Sequence, residues 1–304
     1  MSGTRQITFY LDDDLRPSVA AGEHNFFARL QGVLEEAGYA VSLRATGAAA
    51  RLEAPLRDGW ALFHMEAPTH ARALTVRRAY HYPFWAIETT DRRWDWHVAR
   101  TPFPSGEVPR READGFHRRW ARRLFGDAPG AARQQDMVYI PLQGRLLEQR
   151  SFQSCTPLQM IEATLSADPK RRVEARLHPK ETYTSQELAA LDALAALYPR
   201  LTVGIGGMEE ALTRCAYVVT MNSSVAFDAM FFRKPAILFG QIDFHHVMLT
   251  ATPGNLSAFD RVAEHAPDFA GYLWWYWQRM SVNAGHEDAE ARIRDALTRC
   301  GLLL

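Results

Sequence analysis

The segment 215–247, CAYVVTMNSSVAFDAMFFRKPAILFGQIDFHHV, constrains the fold of this chain more than any other. Its apolar, β-branched run 216–221 has the length of a buried strand and ends at the polar triplet Asn222-Ser223-Ser224. An apolar helical stretch follows over 225–232, and a second buried run, 236–239, comes shortly after it. This order of strand, polar turn, helix and strand predicts a right-handed βαβ unit in a parallel sheet.

The triplet Asn222-Ser223-Ser224 would lie at the carboxyl edge of that sheet. Asn and Ser side chains accept hydrogen bonds from the free amides of a first helical turn. Open α/β sheets bind ligands at this edge, because helix amides and the helix dipole converge there on anionic groups. The triplet therefore predicts an anion site, and the alternative is that it only caps its helix.

The length of 304 residues suits two domains of about 150 residues each. Strand and helix patterns alternate in both halves, which predicts the α/β class throughout. A segment containing Gly, Pro and Asp at 126–130 has the composition of a linker, so we predict one α/β domain over 1–130 and a second over 131–304.

The formal net charge is zero, so overall electrostatics favour neither nucleic acid nor membrane as a partner. Arginines are concentrated around the predicted helix 113–125, either as a solvated face or as a contact with an anionic surface or acceptor. The aromatic cluster 274–277 indicates core or interface, with membrane attachment as the alternative. Three widely spaced cysteines, and the lack of a signal peptide or an apolar window of about 18 residues, predict a cytoplasmic protein.

Two further polar clusters follow predicted strands of the second half, one over 143–151 and one at His178-Pro179-Lys180. A phosphate group requires amide donors and a cation, which the Asn-Ser-Ser turn with His178 or Lys180 would supply. The alternative is that His178-Pro179 only forms a turn at the strand end. Adjacent histidines on extended backbone point to opposite faces and bind one metal ion poorly, so we expect His245 to contact the ligand and no metal to be bound.

The carboxylates best placed for nucleophilic or base chemistry are Glu148 and Glu181. In the first half, the segment 64–88 is dense in histidine and aromatic residues directly after a strand, and its polar side chains form a predicted acceptor pocket. The predicted acceptor-binding residues are His64, Glu66, His70, Arg77 and His81. The acidic triplet 12–14 follows the first strand, and we interpret it as a loop in preference to a metal site.

The sequences YIPLQ, RLHPKE and TMNSSVAFDAMFFRKPAILFG, in this order, resemble the carboxyl-terminal half of the capsule polysaccharide biosynthesis proteins. This bacterial family contains retaining β-Kdo transferases that use CMP-Kdo, and the resemblance covers about residues 138–247. It implies a GT-B-like fold, in which two Rossmann-like domains face a cleft and the second binds the donor. It also implies that His178 and Pro179 contact the CMP phosphate, and that Asn222, Ser223 and Ser224 bind phosphate or ribose.

The chain departs from the family pattern after PLQ, where an aspartate is usual and this sequence has GRLLEQR. Glu148 is our candidate to replace it as the catalytic carboxylate of a retaining, metal-independent glycosyltransferase, with His178 stabilising the departing phosphate. The predicted donor-binding residues are Gln143, Pro179, Lys180, Asn222, Ser223, Ser224 and His245.

The predicted reaction needs no cofactor, since the CMP-sugar is its donor substrate and a glycan or glycolipid is its acceptor. The predicted partners also include contact with the inner membrane or with an assembly complex. Two alternatives remain: a non-catalytic nucleotide- or glycan-binding partner in a polysaccharide assembly complex, and a sugar-nucleotide enzyme of the epimerase type.

Overall fold

The computed structural model describes residues 5–304 of the chain. These residues form two compact units. Unit 1 comprises the chain up to Thr101 together with Trp275–Leu304, and unit 2 comprises Pro102–Trp274.

Strands and helices alternate along both units. The strands are β1 (Arg5–Leu11), β2 (Tyr39–Ala45), β3 (Trp60–His64), β4 (Ala73–Arg78), β5 (Phe84–Glu88), β6 (Met137–Leu142), β7 (Arg172–Leu177), β8 (Leu201–Ile205), β9 (Tyr217–Thr220), β10 (Ala236–Leu238), β11 (Leu249–Thr250) and β12 (Val282–Asn283). The α-helices are α1 (Arg16–Ala20), α2 (Asn25–Glu36), α3 (Ala48–Glu53), α4 (His97–Arg100), α5 (Arg110–Phe125), α6 (Pro157–Ala167), α7 (Ser185–Leu197), α8 (Met208–Arg214), α9 (Val225–Ala229), α10 (Phe269–Gln278) and α11 (Ala289–Arg299).

Unit 2 is built on a six-stranded sheet in the order β11-β10-β9-β6-β7-β8. All of its pairings are parallel. Counted from β6, this is the order 3-2-1-4-5-6 of the doubly wound dinucleotide-binding fold. The chain therefore reverses its direction of winding between β6 and β9, which makes the carboxyl ends of these two strands the topological switch point.

Unit 1 carries the second six-stranded sheet, in the order β12-β5-β4-β3-β1-β2. The pairings among β1 to β4 are parallel, whereas β5 runs antiparallel to both β4 and β12. The switch point of this sheet lies between β1 and β3, because β2 pairs on the other side of β1. The predicted α/β class with two Rossmann-like domains is thus confirmed.

The predicted boundary after residue 130 differs from the division into two units. Helix α5 belongs to unit 2, where its Phe125 ring lies 5.8 Å from Phe231 and 5.1 Å from Phe232. The C-terminal segment returns to unit 1, where α11 contributes Ile293 and Leu297 to the core around α2. The segment 126–130 has linker composition, but it is a short connection inside unit 2.

The aromatic cluster of α10 is buried. Trp275, Tyr276 and Trp277 are at most 3% exposed, and the Trp277 ring stacks on Phe84 at 4.4 Å. The predicted core role is therefore correct, and burial excludes these three rings from a membrane surface. Among residues 5–304, no helix is long and apolar enough to cross a bilayer.

Candidate functional site

The site of unit 2 lies where β6 and β9 end. A small pocket there is lined by Gln143 after β6, by Thr220 and Met221 at the end of β9, and by two residues of the loop that follows β6, Arg150 and Gln153. This is the switch point of the sheet, the place where doubly wound folds bind their ligands.

The loop 150–154 is fixed across the strand ends by backbone hydrogen bonds. Gln153 forms a bridge with Gly240, and the Ser154 amide donates to the Phe239 carbonyl at 2.9 Å, directly after β10. A side chain at Gly240 would place its Cβ 3.0 Å from the Met221 carbonyl oxygen and 3.1 Å from that of Phe152. A side chain at position 240 would therefore require these backbone atoms to shift by a few tenths of an ångström, because the loop lies directly over the end of β9.

Two buried donors of this loop lack hydrogen-bond partners among the described residues. They are Nε of Arg150 and Nε2 of Gln153. The Oε1 atom of Gln153 is engaged, since it accepts from the Arg150 amide at 2.8 Å, and this orients the side-chain amide. A buried donor without an acceptor costs about 1–3 kcal/mol, so both groups gain free energy when an anion accepts from them.

The guanidinium of Arg150 stacks on the Phe152 ring at 4.8 Å. Its pKa is lowered, first by burial and then by neighbouring Arg145. Arginine stays protonated in proteins, so the loop holds a desolvated positive charge at the switch point. Sequence reasoning did not select Arg150 or Gln153, although both belong to or border the polar cluster 143–151 that was identified.

The triplet Asn222-Ser223-Ser224 follows β9 as predicted, but its helix is shorter than expected. The predicted helix 225–232 consists of α9, five residues long, and a 3-10 turn over Met230–Phe232. Ser224 makes no side-chain cap, whereas Oγ of buried Ser223 accepts from the Val225 amide at 3.3 Å. Because α9 is so short, its helix dipole is weak. Binding of an anion at this turn would therefore depend on side chains and on the loop 150–154.

His178 follows β7, the strand next to β6, and is exposed. Its Nδ1 accepts from the Lys180 amide at 3.2 Å, so the neutral ring carries its proton on Nε2. The Tyr183 hydroxyl accepts from the His178 amide at 2.8 Å and fixes the turn. Two strand spacings, about 10 Å, separate the ends of β7 and β9, so His178 and the Ser223 turn could flank a nucleotide.

The two candidate carboxylates differ in position. Glu148 lies on an exposed turn, 3.4 Å from Arg145, with 63% of its side chain exposed. Glu181 lies against the end of β6: a Cβ at Gly144 would be 3.0 Å from its Oε2 atom. Glu181 is therefore the carboxylate that the structure brings next to the switch point.

His245 lies after β10 in a 3-10 turn that continues to Val247. Its ring stacks on His246 at 4.3 Å and its Nδ1 bonds the Ile242 carbonyl at 3.0 Å. The expectation of opposite-facing histidines is therefore wrong, because it assumed extended backbone. No three His, Cys, Asp or Glu side chains within 5–304 are grouped so as to hold a metal ion.

In unit 1, the predicted acceptor residues fall into two places. His64, Glu66, Arg77 and His81 follow or end β3 and β4 at the carboxyl edge. His70 instead lies close to the amino end of β4, since its carbonyl accepts from the Ala73 amide at 3.1 Å. Because β3 and β4 are parallel neighbours, the chain must run back from the carboxyl end of β3 to the amino end of β4. His70 lies at the end of this return segment, away from the other four residues.

The switch point of unit 1 contains a pair that the sequence did not reveal, Asp12 and His64. Oδ2 of Asp12 lies 2.9 Å from Nδ1 of His64. Burial is the main cause that lowers the pKa of His64, and its Nε2 is buried without a partner among the described residues. A neutral His64 ring has a single N–H group, and here that group is Nδ1–H, which donates to Asp12, while Nε2 carries no proton. This hydrogen bond orients the half-exposed Asp12 carboxylate.

Comparison with solved structures found similar folds at low sequence identity. Two solved structures of KpsC from Thermosulfurimonas dismutans, described as a beta Kdo 2,7 transferase and a beta Kdo 2,4 transferase, match with TM-scores of 0.44 and 0.49. Both are 12% identical to this chain. The matches span 86% and 89% of this chain, and in each case 89% of the KpsC chain. The H444N variant of the wall teichoic acid polymerase TagF matches with a TM-score of 0.33 and 9% identity, over 97% of this chain and 89% of that one.

No family model and no curated protein matches the chain. All three TM-scores are below 0.5.

Proposed function

We propose that this protein is a glycosyltransferase of capsule or surface polysaccharide synthesis, which transfers a CMP-activated, Kdo-like sugar to a glycan or glycolipid. The observation that carries the proposal is the pair of buried, unpartnered donors on Arg150 and Gln153 at the switch point of a doubly wound sheet. Such donors fit the phosphate of a nucleotide sugar.

On the donor side, Arg150 and Gln153 bind the phosphate, and Asn222 with Ser223 binds the ribose or a phosphate oxygen. His178 donates from Nε2 and, with Lys180, stabilises negative charge on the departing CMP. A hollow of about 280 Å³ borders the same loop, lined by Ser151, Leu238, Gln241 and Thr252 among others, and offers room for the base or the sugar.

A retaining reaction has two displacements. A carboxylate attacks the anomeric carbon while the bond to the CMP phosphate breaks, and the acceptor hydroxyl then displaces the carboxylate as it loses its proton. Glu148 is the carboxylate predicted from the sequence, and Glu181 is the one that lies against the end of β6. The proton of the acceptor hydroxyl leaves to solvent. In unit 1, we propose that the Asp12 carboxylate, which His64 orients, accepts a hydrogen bond from the acceptor.

The reaction proposed here uses no metal or other cofactor. We also propose that the protein works in the cytoplasm, in contact with the inner membrane or with an assembly complex. A second candidate function is that of a non-catalytic nucleotide- or glycan-binding partner. It is favoured by the exposed position of Glu148 and its ion pair with Arg145.

Calorimetric titration with CMP, CDP, UDP and GDP, followed by a transfer assay with the preferred sugar donor, tests the proposal. We expect CMP to bind most tightly and Asn222→Ala to weaken it. Tight binding with no transfer would favour the binding partner, and turnover of the donor without an acceptor would favour the epimerase class. If none of the four nucleotides binds, the proposal fails.

A further inference from the structure

Helix α5 presents an arginine face outside the site described above. Its sequence RREADGFHRRWARRLF holds six arginines against two acids, a surplus of four positive charges in a chain whose formal charge is zero. All six arginines are exposed. None of them forms an ion pair or a side-chain hydrogen bond with the described residues.

Five of the six arginines, all but Arg110, lie on the side of the helix away from the buried Ala113 and His117. Residues advance by about 100° along an α-helix, which aligns Arg111, Arg118 and Arg122 within about 40° and places Arg119 and Arg123 beside them. The buried side chains Ala113 and His117 face unit 2 on the other side. The helix is about 24 Å long, so the charged face is a stripe, parallel to the helix axis.

A hollow of about 590 Å³ adjoins this stripe. Arg118 and Arg122 line it together with Arg233, so three guanidinium groups face one carboxylate, that of Asp127. The Phe231 ring contributes an apolar wall. The hollow therefore suits a head group that carries a phosphate beside apolar atoms.

The stripe and the hollow lie at the edge of the sheet opposite the switch point. Arg233 lies three residues before the start of β10, and the segment 126–130 precedes β6 along the chain, so both lie on the side of the amino ends of these parallel strands. The turn at Ser223 follows the carboxyl end of β9. This surface is therefore separate from the proposed donor site.

We propose that the arginine face of α5 docks on the surface of a bilayer containing anionic phospholipid. A long stripe of unpaired guanidiniums complements a plane of lipid phosphates, although the other residues of the chain carry a formal surplus of four negative charges. A polynucleotide fits less well, because the aromatic ring of this helix, Trp120, is covered by Arg123 at 5.0 Å and is not free to stack on bases. The inference is independent of the proposed enzymatic function.

The test is flotation of the full chain with vesicles of phosphatidylcholine alone or mixed with phosphatidylglycerol, at low and high salt. The test variant carries Arg111→Gln, Arg118→Gln, Arg119→Gln and Arg122→Gln. The matched control removes four exposed arginines elsewhere: Arg44→Gln, Arg72→Gln, Arg172→Gln and Arg261→Gln. Each lost contact should weaken vesicle binding about five-fold, so the test variant should lose more than about a hundred-fold.

Two double variants, Arg111→Gln with Arg119→Gln and Arg118→Gln with Arg122→Gln, provide a second measurement if the quadruple variant melts at a lower temperature. Each should lose about 25-fold. Binding that requires phosphatidylglycerol, falls with salt, is lost in the test variant and is kept in the control supports the proposal. Equal binding by both quadruple variants, no preference for phosphatidylglycerol, or tighter binding to polyuridylate than to vesicles overturns it.

Discussion

Replacement of Arg150 by methionine should separate ligand binding from stability. Methionine keeps an unbranched apolar chain over the Phe152 ring but removes the guanidinium. The unfolding free energy should lose about 0.5–1 kcal/mol from the cation–π contact. It should gain about 1–3 kcal/mol because the buried, unpartnered Nε no longer has to be desolvated.

The folded protein without ligand should therefore be as stable as the wild type or up to about 2.5 kcal/mol more stable. Nucleotide affinity should change in the opposite direction. A hydrogen bond to a charged group contributes about 1.5–3 kcal/mol, so the Kd for CMP should rise roughly 10- to 150-fold.

Calorimetry with CMP measures the affinity, and thermal melts with and without CMP measure the stability. Arg172→Met is the matched control, because Arg172 is exposed at the amino end of β7, away from the switch point. The reasoning is refuted if Arg150→Met binds CMP as tightly as the wild type, or if the control loses as much affinity.

Three further predictions concern the proposed chemistry and the histidines. Glu181→Gln should reduce the transfer rate by about a hundred-fold or more and retain CMP binding, whereas Glu148→Gln should reduce the transfer rate less. A larger loss in Glu148→Gln would instead support Glu148, the carboxylate predicted from the sequence. Asp12→Asn should raise the KM for the acceptor by about 10-fold or more and leave the Kd for CMP unchanged, and an unchanged KM would remove Asp12 from acceptor binding. Burial is the main cause that lowers the pKa of His24 and His64 in the folded protein. As the pH falls, the unfolded chain therefore binds protons before the folded chain does, and stability to urea should fall as the pH drops below about 6.5. A flat stability profile between about pH 7 and 5 would contradict this.

Local patterns in the sequence identified individual elements well. Thr156, which directly precedes Pro157, forms a capping box with Gln159 at the start of α6. The pattern Thr184 to Glu187 likewise forms a capping box at the start of α7. Such signals are readable because they involve residues three positions apart, whose contacts the helix geometry fixes.

Contacts between distant parts of the chain were not readable in the same way. The return of α11 to unit 1 depends on side chains more than 250 positions apart, such as Arg29, which pairs with Glu290 at 2.5 Å. His64 was selected as an acceptor residue, but its partner Asp12 was interpreted as part of a loop. No periodicity links these positions, since their contact arises only when β1 and β3 pair.

The sequence by itself determined the α/β class, the order of strands and helices, and the edge of the sheet at which Asn222, Ser223 and His178 lie, because hydrophobic period and strand direction are local properties. The tertiary structure decided which side chains converge there. It placed Arg150 and Gln153 over β9 and Glu181 against β6. These positions depend on how a loop crosses neighbouring strands, which is fixed by the order of strands in the sheet and not by spacing along the chain.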